Sequence, residues 1–121
     1  MLRKTRVPIA GLLVVLVLGV FAPALRAVAK EGMDMMKMMM AAKTPADHQK
    51  LAAHYDQEAA AARAKADLHK KMAEEIRKMG GALFSKVHYD EHCDGLAASY
   101  TKVAEQYAAL AQAERDMAKE M

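Results

Sequence analysis

The stretch GGALFSKVHYDEHCDGL (residues 80–96) decides the fold, because its first two glycines separate two alanine-rich segments of helical character. Gly80 and Gly81 together form a strong stop signal for a helix that precedes them. That helix has a clear start, since Thr44 can cap it and Pro45 suits the first helical position. The sequence therefore predicts an all-α chain. The predicted segments are a helix at 44–79, a turn at 80–84 and a second helix at 85–119.

Both predicted helices have a seven-residue rhythm, and a stripe of alanine runs beside each predicted seam. A period of 3.5 residues with small flanking side chains predicts closely packed helices in a left-handed coil. The short turn predicts antiparallel packing, so residues 44–121 are expected to form a two-helix hairpin with an alanine-rich coiled-coil seam. The predicted seam of the second helix contains Tyr89, Cys93, Leu96, Tyr100, Val103, Tyr107, Leu110, Glu114 and Met117. The alanine stripes contain Ala52, Ala59, Ala66 and Ala73, and Ala97, Ala104, Ala111 and Ala118.

A seam built from alanine and from polar residues buries little apolar surface for a domain of this size. Small scaffolds with so little core usually gain stability from a partner or from a covalent or metal crosslink. We therefore expect the hairpin to dimerise into a four-helix bundle, or to pack on another helical protein.

The first 29 residues have the pattern of a secretory signal. A basic start is followed by an apolar run at 7–21 and by the A-x-A site Ala27-Val28-Ala29. The run is short for a membrane span and contains proline and glycine, so we expect cleavage after Ala29. The alternative is an uncleaved signal that anchors the chain in the membrane. The sequence thus predicts a protein of the periplasm or a secreted protein.

Export changes the meaning of the net charge and of the one cysteine. Four of the 18 Lys and Arg residues leave with the signal and all 15 Asp and Glu residues stay, so the formal charge falls from +3 to −1. No basic patch with interleaved aromatic residues remains, and we do not expect nucleic-acid binding. A single thiol in an oxidising compartment is an intermolecular disulfide, a ligand or a buried spectator.

Residues 30–43 form a methionine-rich segment between the signal and the first predicted helix. Six of the eleven methionines lie there. The segment has no polar face opposite an apolar one, so it is expected to be a flexible extension, with some helix allowed by the good helix propensity of methionine. Its thioethers have the M-x-M and M-x-x-M spacing that can chelate Cu(I), and the alternative is an oxidation-prone tail. These weaker metal candidates are Met33, Met35, Met36, Met38, Met39 and Met40.

A metal site is predicted where the hairpin brings its two halves together. Folding about residues 82–83 places His69 near Leu96 and Met72 near Cys93. The metal hypothesis is a copper(I) site of His69, Met72 and Cys93, with His92 as fourth ligand, because thiolate and thioether ligands select Cu(I). The alternative, which we favour, has His69 hydrogen-bonded to Tyr100 and Cys93 as a small apolar filler.

The segment HYDEH (residues 88–92) spells the H-x-x-E-H pattern of inverted zinc proteases. On a helix, His88 and His92 would share a face with a carboxylate that can activate water. A third ligand and a substrate cleft have no evident source in a two-helix chain, so proteolysis is not expected. The two histidines remain weaker candidates for binding Zn(II).

Two polar pairs are predicted across the seam. Glu114 is expected near His48, and Glu58 near Tyr107. Both pairs are expected to set the register of the helices rather than to catalyse a reaction.

Four segments of the chain together resemble a family of short exported bacterial helical-hairpin proteins. They are TPADHQKLAAHY, RAKADLHKKM, HCDGLAASY and EQYAALA, and they cover nearly the whole mature region. The family pattern includes His48, His69 and the His92-Cys93 dipeptide, which are all present here. It also has a histidine near the end, where this chain has Glu114, and that departure argues against a four-histidine site. The resemblance implies the hairpin fold and brings no assigned activity.

Two functions follow as expectations. The leading one is a non-catalytic interaction or structural module of the cell envelope, whose helical surface binds a second copy or another helical envelope protein. The second is a periplasmic metal-handling protein that binds copper through His, Cys and Met. Neither expectation makes the protein an enzyme.

Overall fold

The computed structural model describes residues 10–121. Within that range the chain forms four α-helices and no strand, which confirms the all-α class. The helices are α1 (Ala10–Ala41), α2 (Pro45–Met79), α3 (Gly81–Ser85) and α4 (Tyr89–Glu120). The chain divides into two compact units, one that ends at Ala41 and one that covers Ala42–Met121.

In its described residues the first unit is the helix α1, which continues through the predicted cleavage site and most of the methionine-rich segment. Residues 30–41 are therefore helical, which the expectation of a flexible extension with some helix at 30–43 allows. Methionine favours a helix, and an ion pair of 3.3 Å between Lys30 and Asp34, one turn apart, adds to it. The basic start of the predicted signal (Arg3, Lys4 and Arg6) lies outside the described residues. Of the helices in the described range, none is long and apolar enough to cross a membrane.

The second unit begins with the cap that the sequence predicts. Thr44 Oγ1 accepts a hydrogen bond of 3.2 Å from the amide of Asp47, and the Asp47 carboxylate accepts one of 3.1 Å from the amide of Thr44. Pro45 fills the first helical position. The helix ends at Gly80, whose φ of 64° is left-handed and whose amide donates to the carbonyl of Ile76. Both ends of the first predicted helix are thereby confirmed.

The connection to α4 is longer than predicted. The turn expected at 80–84 contains the short helix α3, and the second long helix begins at Tyr89 instead of Ser85. The cause is local, since His88 adopts a left-handed conformation (φ 52°) that interrupts a continuous helix. The His88 carbonyl then accepts hydrogen bonds from the amides of Glu91 and His92, which start α4.

Helices α2 and α4 pack against each other along their length. Their side-chain contacts pair His48 with Glu114, and Arg77 with Asp90. The beginning of α2 therefore lies beside the end of α4, and the two helices run in opposite directions.

The seam between α2 and α4 is built from the alanine stripes. The buried alanines are Ala52, Ala59, Ala66 and Ala73 on α2, and Ala97, Ala104 and Ala111 on α4. Such small side chains let two helix backbones come close, and the longer side chains beside them are left at the edges of the contact. The prediction that Leu96, Val103, Leu110 and Met117 fill the seam is therefore wrong.

Candidate functional site

One line of apolar side chains on α4 stays exposed after the helix pair has formed. We call it the α4 stripe, and its residues are between 41% and 48% exposed. They follow one another at intervals of seven, which places them on one line that drifts slowly around a straight helix. The α4 stripe consists of Tyr89, Leu96, Val103, Leu110 and Met117.

A shallow apolar groove of about 240 Å³ lies at the middle of the α4 stripe. Val103, Tyr107 and Leu110 line it, together with Lys102 and Gln106. Almost all of the surface that these residues present to the groove is apolar. The groove can therefore accept an apolar side chain.

Ion pairs join α2 to α4 along the edge of the helix pair that is opposite to the α4 stripe. Arg77 donates a hydrogen bond of 3.1 Å to Asp90 and a second one to Asp94. Arg115 donates one of 2.8 Å to Asp56. The hydrogen bond to Asp94 is the main cause that raises the pKa of Arg77 above its ordinary value.

The two edges therefore differ in chemistry. Asp94 and Arg115 each precede a residue of the α4 stripe by two positions, which is about 200° around a helix. The ion pairs thus lie away from the α4 stripe. A partner that meets the helix pair on the side of Leu96 and Met117 encounters apolar side chains.

The interior of the helix pair is polar at its open end, where α2 begins. The Nδ1 atom of His48 lies 2.6 Å from a carboxylate oxygen of Glu114, so the predicted proximity of these two residues is confirmed. Two turns further on, the rings of Tyr55 and Tyr107 stack with their centroids 6.2 Å apart. Burial raises the pKa of Tyr55, and the charge of Glu114 and then Tyr107 add to the increase.

His69 does not meet the other predicted copper ligands. Its ring stacks on Tyr100 with centroids 5.7 Å apart and nearly parallel planes, and the ammonium of Lys65 lies 5.5 Å from the centre of the Tyr100 ring. The favoured alternative had a hydrogen bond between His69 and Tyr100, whereas the contact found is a ring stack. Within the described part of the chain, the buried Nδ1 of His69 has no hydrogen-bond partner.

Cys93 and Met72 do meet, in an apolar cluster with Ala73 and Ile76. The thiol is 1% exposed, while its neighbour His92 is exposed to solvent. The structure therefore brings two of the four predicted copper ligands together. Over residues 10–121, no group of three or more His, Cys, Asp and Glu side chains is placed to hold a metal ion.

The H-x-x-E-H segment does not present its histidines from one helix. His88 lies before α4 in its left-handed conformation, and its Nδ1 is 3.6 Å from a carboxylate oxygen of Glu91. Both of these side chains are exposed, as is His92. The arrangement assumed for an inverted zinc protease, with both histidines on one helical face, is therefore wrong for this chain.

The methionines of residues 33–40 all lie on α1. Most of them are exposed, and Met35 is half-buried. Helical spacing places Met33, Met36 and Met40 along one side of α1, because residues three and four apart are neighbours on a helix surface.

Sequence reasoning missed one buried acid. Asp90 is 5% exposed, and its Oδ1 has no hydrogen-bond partner among the described residues, while Oδ2 accepts from Arg77. The signal was present in the sequence, because Asp90 lies seven residues before Ala97 and so continues the alanine stripe of α4. An arginine on the facing helix is the usual companion of such an acid.

Comparisons of the chain with protein-family models, with curated proteins and with solved structures gave no match.

Proposed function

We propose that the protein is a small exported helical-hairpin module of the bacterial cell envelope that acts by binding another helical surface, without catalysis. The binding surface is the α4 stripe. The observation that carries the proposal is the regular exposure of Tyr89, Leu96, Val103, Leu110 and Met117 on a helix whose other face is already covered by α2.

The spacing of the α4 stripe supports a helical partner. Side chains that repeat every seven residues lie along the line of contact of two helices that cross at a small angle. A continuous apolar line of this length is uncommon on a protein that works alone, and it marks a binding surface in many proteins.

The residues beside the α4 stripe also suit an interface. Ser99, Gln106 and Ala113 each follow a stripe residue by three positions and lie next to it on the helix. They carry no charge, and depletion of charge is the compositional mark of the core of an interface.

In a protein that binds without catalysis, the buried polar groups can serve to align the two helices. His48 and Glu114 are paired across the seam, and so are Arg77 and Asp90. A polar group at a core position of a helical coil fixes the register and the orientation of the helices, at some cost in stability. These pairs hold α4 in one register against α2, so the α4 stripe is presented in one fixed orientation.

The proposed function also includes a place in the cell where the protein acts. The predicted signal over residues 1–29 would deliver the chain to the periplasm or to the outside of the cell. There the helix pair would be free to bind a second copy or another helical envelope protein.

Photo-crosslinking in living cells tests the interaction function. A photoreactive amino acid replaces Val103 in the α4 stripe, and the matched control replaces Glu105, an exposed residue two positions away and about 200° around α4. We expect an identified crosslinked product from position 103 and little from position 105. Equal products at both positions, or no product at 103, would contradict the proposal.

Copper binding is a second candidate, favoured by the exposed methionines of α1. Cu(I) prefers soft ligands, and Met33, Met36 and Met40 present three thioethers on one side of a helix. The test is titration of the exported protein with Cu(I) against a competing chelator. The variant replaces these three methionines by leucine, which has nearly the same volume, and the control variant is Cys93→Ala. A copper affinity that the triple variant retains would refute a site on α1.

A further inference from the structure

We propose that the partner of the α4 stripe is the α4 stripe of a second copy of this chain, packed antiparallel about a two-fold axis beside Val103. The inference rests on the interaction function proposed above and names the partner that this function requires. The resulting assembly is a four-helix bundle of two helix pairs.

The α4 stripe is symmetric about its central residue. Val103 has two stripe residues on each side, at seven and fourteen positions, and all five are exposed to a similar degree. An antiparallel pairing about this centre places Val103 against the partner's Val103, Leu96 against the partner's Leu110 and Tyr89 against the partner's Met117. A two-fold interface needs a patch that is complementary to itself, and this line of side chains meets that condition.

The flanking residues obey the same symmetry. Ser99 and Gln106 each follow a stripe residue by three positions, and the same axis places Ser99 near the partner's Gln106. Neither side chain is charged, so these two positions bring no like charges together. A Ser hydroxyl and a Gln amide can also hydrogen-bond to each other.

Ion pairs occupy one edge of the helix pair, so the side that carries the α4 stripe is the more favourable one for a partner. Arg77 and Arg115 already join α2 to α4 on the other edge through Asp94 and Asp56. A second copy that approached there would have to displace these ion pairs and desolvate their charges, which is costly. On the stripe side it covers apolar atoms and the groove at Val103.

The size of the surface fits a stable dimer. From Tyr89 to Met117 the α4 stripe spans about 42 Å at 1.5 Å per residue. A face two helices wide measures about 20 Å across, because packed helices lie 8–10 Å apart. If the partner also covers the adjoining side of α2, the product is about 800 Å² per copy, which is the standard size of a specific protein interface.

The alanine seam supplies a reason for such a partner. The largest side chains that are fully buried within one copy are Leu51 and Cys93. A helix pair of about 80 residues with so few large core side chains is a scaffold of the size that usually needs additional stabilisation. Burial of five large apolar side chains from each copy supplies it.

The first test measures the mass of the exported protein, purified as the cell delivers it. Analytical ultracentrifugation should show a dimer at about 100 µM, a concentration at which a dimer of micromolar affinity is almost complete. The variant Leu110→Asp should raise the dissociation constant at least about 100-fold, because it places an unpaired charge in the contact. The control Ala98→Asp changes an exposed residue two positions after Leu96, about 200° around α4, and should leave the mass unchanged. A monomeric wild-type protein at this concentration would overturn the inference.

The second test locates the two-fold axis and does not depend on dissociation. In a Cys93→Ala background, Val103→Cys should form a disulfide with its copy under mild oxidation, because the two Cα atoms lie within the roughly 7 Å that a disulfide spans. The matched control Glu105→Cys should remain monomeric on non-reducing electrophoresis. A dimer that crosslinks at 105 and not at 103 would overturn this geometry.

The two proposals fail in different ways. If the protein is monomeric and the photoreactive group at 103 captures a different, identified envelope protein, self-association is overturned and the interaction function stands. If position 103 yields no product of any kind, both proposals are overturned.

Discussion

His48 Nδ1 lies 2.6 Å from a carboxylate oxygen of Glu114, although the two residues are 66 positions apart in the chain. Both side chains are largely withdrawn from water, with 7% and 16% of their surface exposed. A carboxylate oxygen can only accept, so the imidazole N–H donates. This contact joins the first turn of α2 to the last turns of α4 and fixes how far one helix is shifted along the other.

We predict that removal of one partner of this pair costs more than removal of both. In Glu114→Leu the buried donor of His48 is left unmatched, and the free energy of unfolding should fall by about 1–3 kcal/mol. The double variant His48→Leu/Glu114→Leu should recover most of that loss, because an apolar pair of similar shape leaves no unmatched polar group. Urea unfolding followed by circular dichroism gives the four free energies of the double-mutant cycle.

The exposed hydrogen bond between Gln112 and Asp116 serves as the control for that cycle. Asp116→Ala should change stability by less than about 0.5 kcal/mol, as is usual for exposed polar contacts. If the effects of the two leucine substitutions at 48 and 114 simply add, the two residues are not coupled and the account of the register fails.

Tyr55 makes stability depend on pH in the alkaline range. Burial raises its pKa in the folded chain above the ordinary value of 10.0. Above pH 10.0 the unfolded chain releases the phenolic proton while the folded chain still holds it, so the folded state binds more protons and loses stability as the pH rises. The contribution is complete below the pKa of the unfolded chain and disappears as the pH passes the higher pKa of the folded chain.

The variant Tyr55→Phe isolates this effect. Unfolding free energies measured from about pH 8 to about pH 11 should fall more steeply for the wild-type protein than for the variant. A difference that stays constant with pH would mean that the hydroxyl acts only through its neutral contacts. Tyr89→Phe, on the exposed α4 stripe, controls for the loss of a hydroxyl.

The close approach of α2 and α4 depends on alanine in the seam. Ala104 is 2% exposed, and Ala104→Leu forces three further carbon atoms between the helices. We predict a loss of about 1–3 kcal/mol in the free energy of unfolding, the usual cost of overpacking. The control is Ala98→Leu on the exposed side of α4, where leucine and alanine have similar helix propensity and the change should be within about 0.5 kcal/mol. Equal effects at both sites would show that the seam tolerates a larger separation.

The sequence predicted the cap at Thr44 and the stop at Gly80, because both depend on the chemistry of a few neighbouring residues. It also predicted that His48 meets Glu114, because the position of the turn determines which residues of the two antiparallel helices lie opposite each other. It did not predict which of two adjacent stripes on α4 faces α2. The line of Leu96 and the line of Ala97 both repeat every seven residues, and a heptad rhythm alone does not distinguish them. The choice depends on how closely two backbones can approach, which is a property of the pair of helices and not of either sequence.

Two other features of the structure differ from the prediction. The left-handed turn at His88 was missed because a non-glycine residue rarely adopts that conformation, and nothing in the neighbouring residues demanded it. The contact of His69 with Tyr100, the partner that the favoured alternative names, is a ring stack instead of a hydrogen bond, and His69 does not join Cys93 as the copper hypothesis requires. The sequence predicted how far along the helix axis two residues meet, as for His48 and Glu114, but it did not predict on which side of the helix pair each side chain lies.

The last prediction concerns the state of Cys93. Its thiol is 1% exposed in the cluster with Met72, Ala73 and Ile76, so oxidants and alkylating reagents have little access to it in the folded chain. We predict that the protein alkylated directly in the cells that express it contains no covalent dimer. We also predict that an alkylating reagent labels Cys93 slowly in buffer and quickly in urea, since exposure limits the reactivity of a thiol.

The position of Cys93 along α4 gives a second, independent reason to expect no disulfide between two copies at this residue. If the two-fold axis lies beside Val103, ten residues separate Cys93 from it, which is about 15 Å along the helix and places the two symmetry-related thiols about 30 Å apart. A disulfide needs Cα atoms within about 7 Å, so this dimer cannot be bridged at 93. Non-reducing electrophoresis after alkylation separates the outcomes, with Cys93→Ala as the unlabelled control. A band of twice the mass that disappears with reductant would contradict both the burial of the thiol and the proposed axis. Labelling as fast in buffer as in urea would contradict the burial alone.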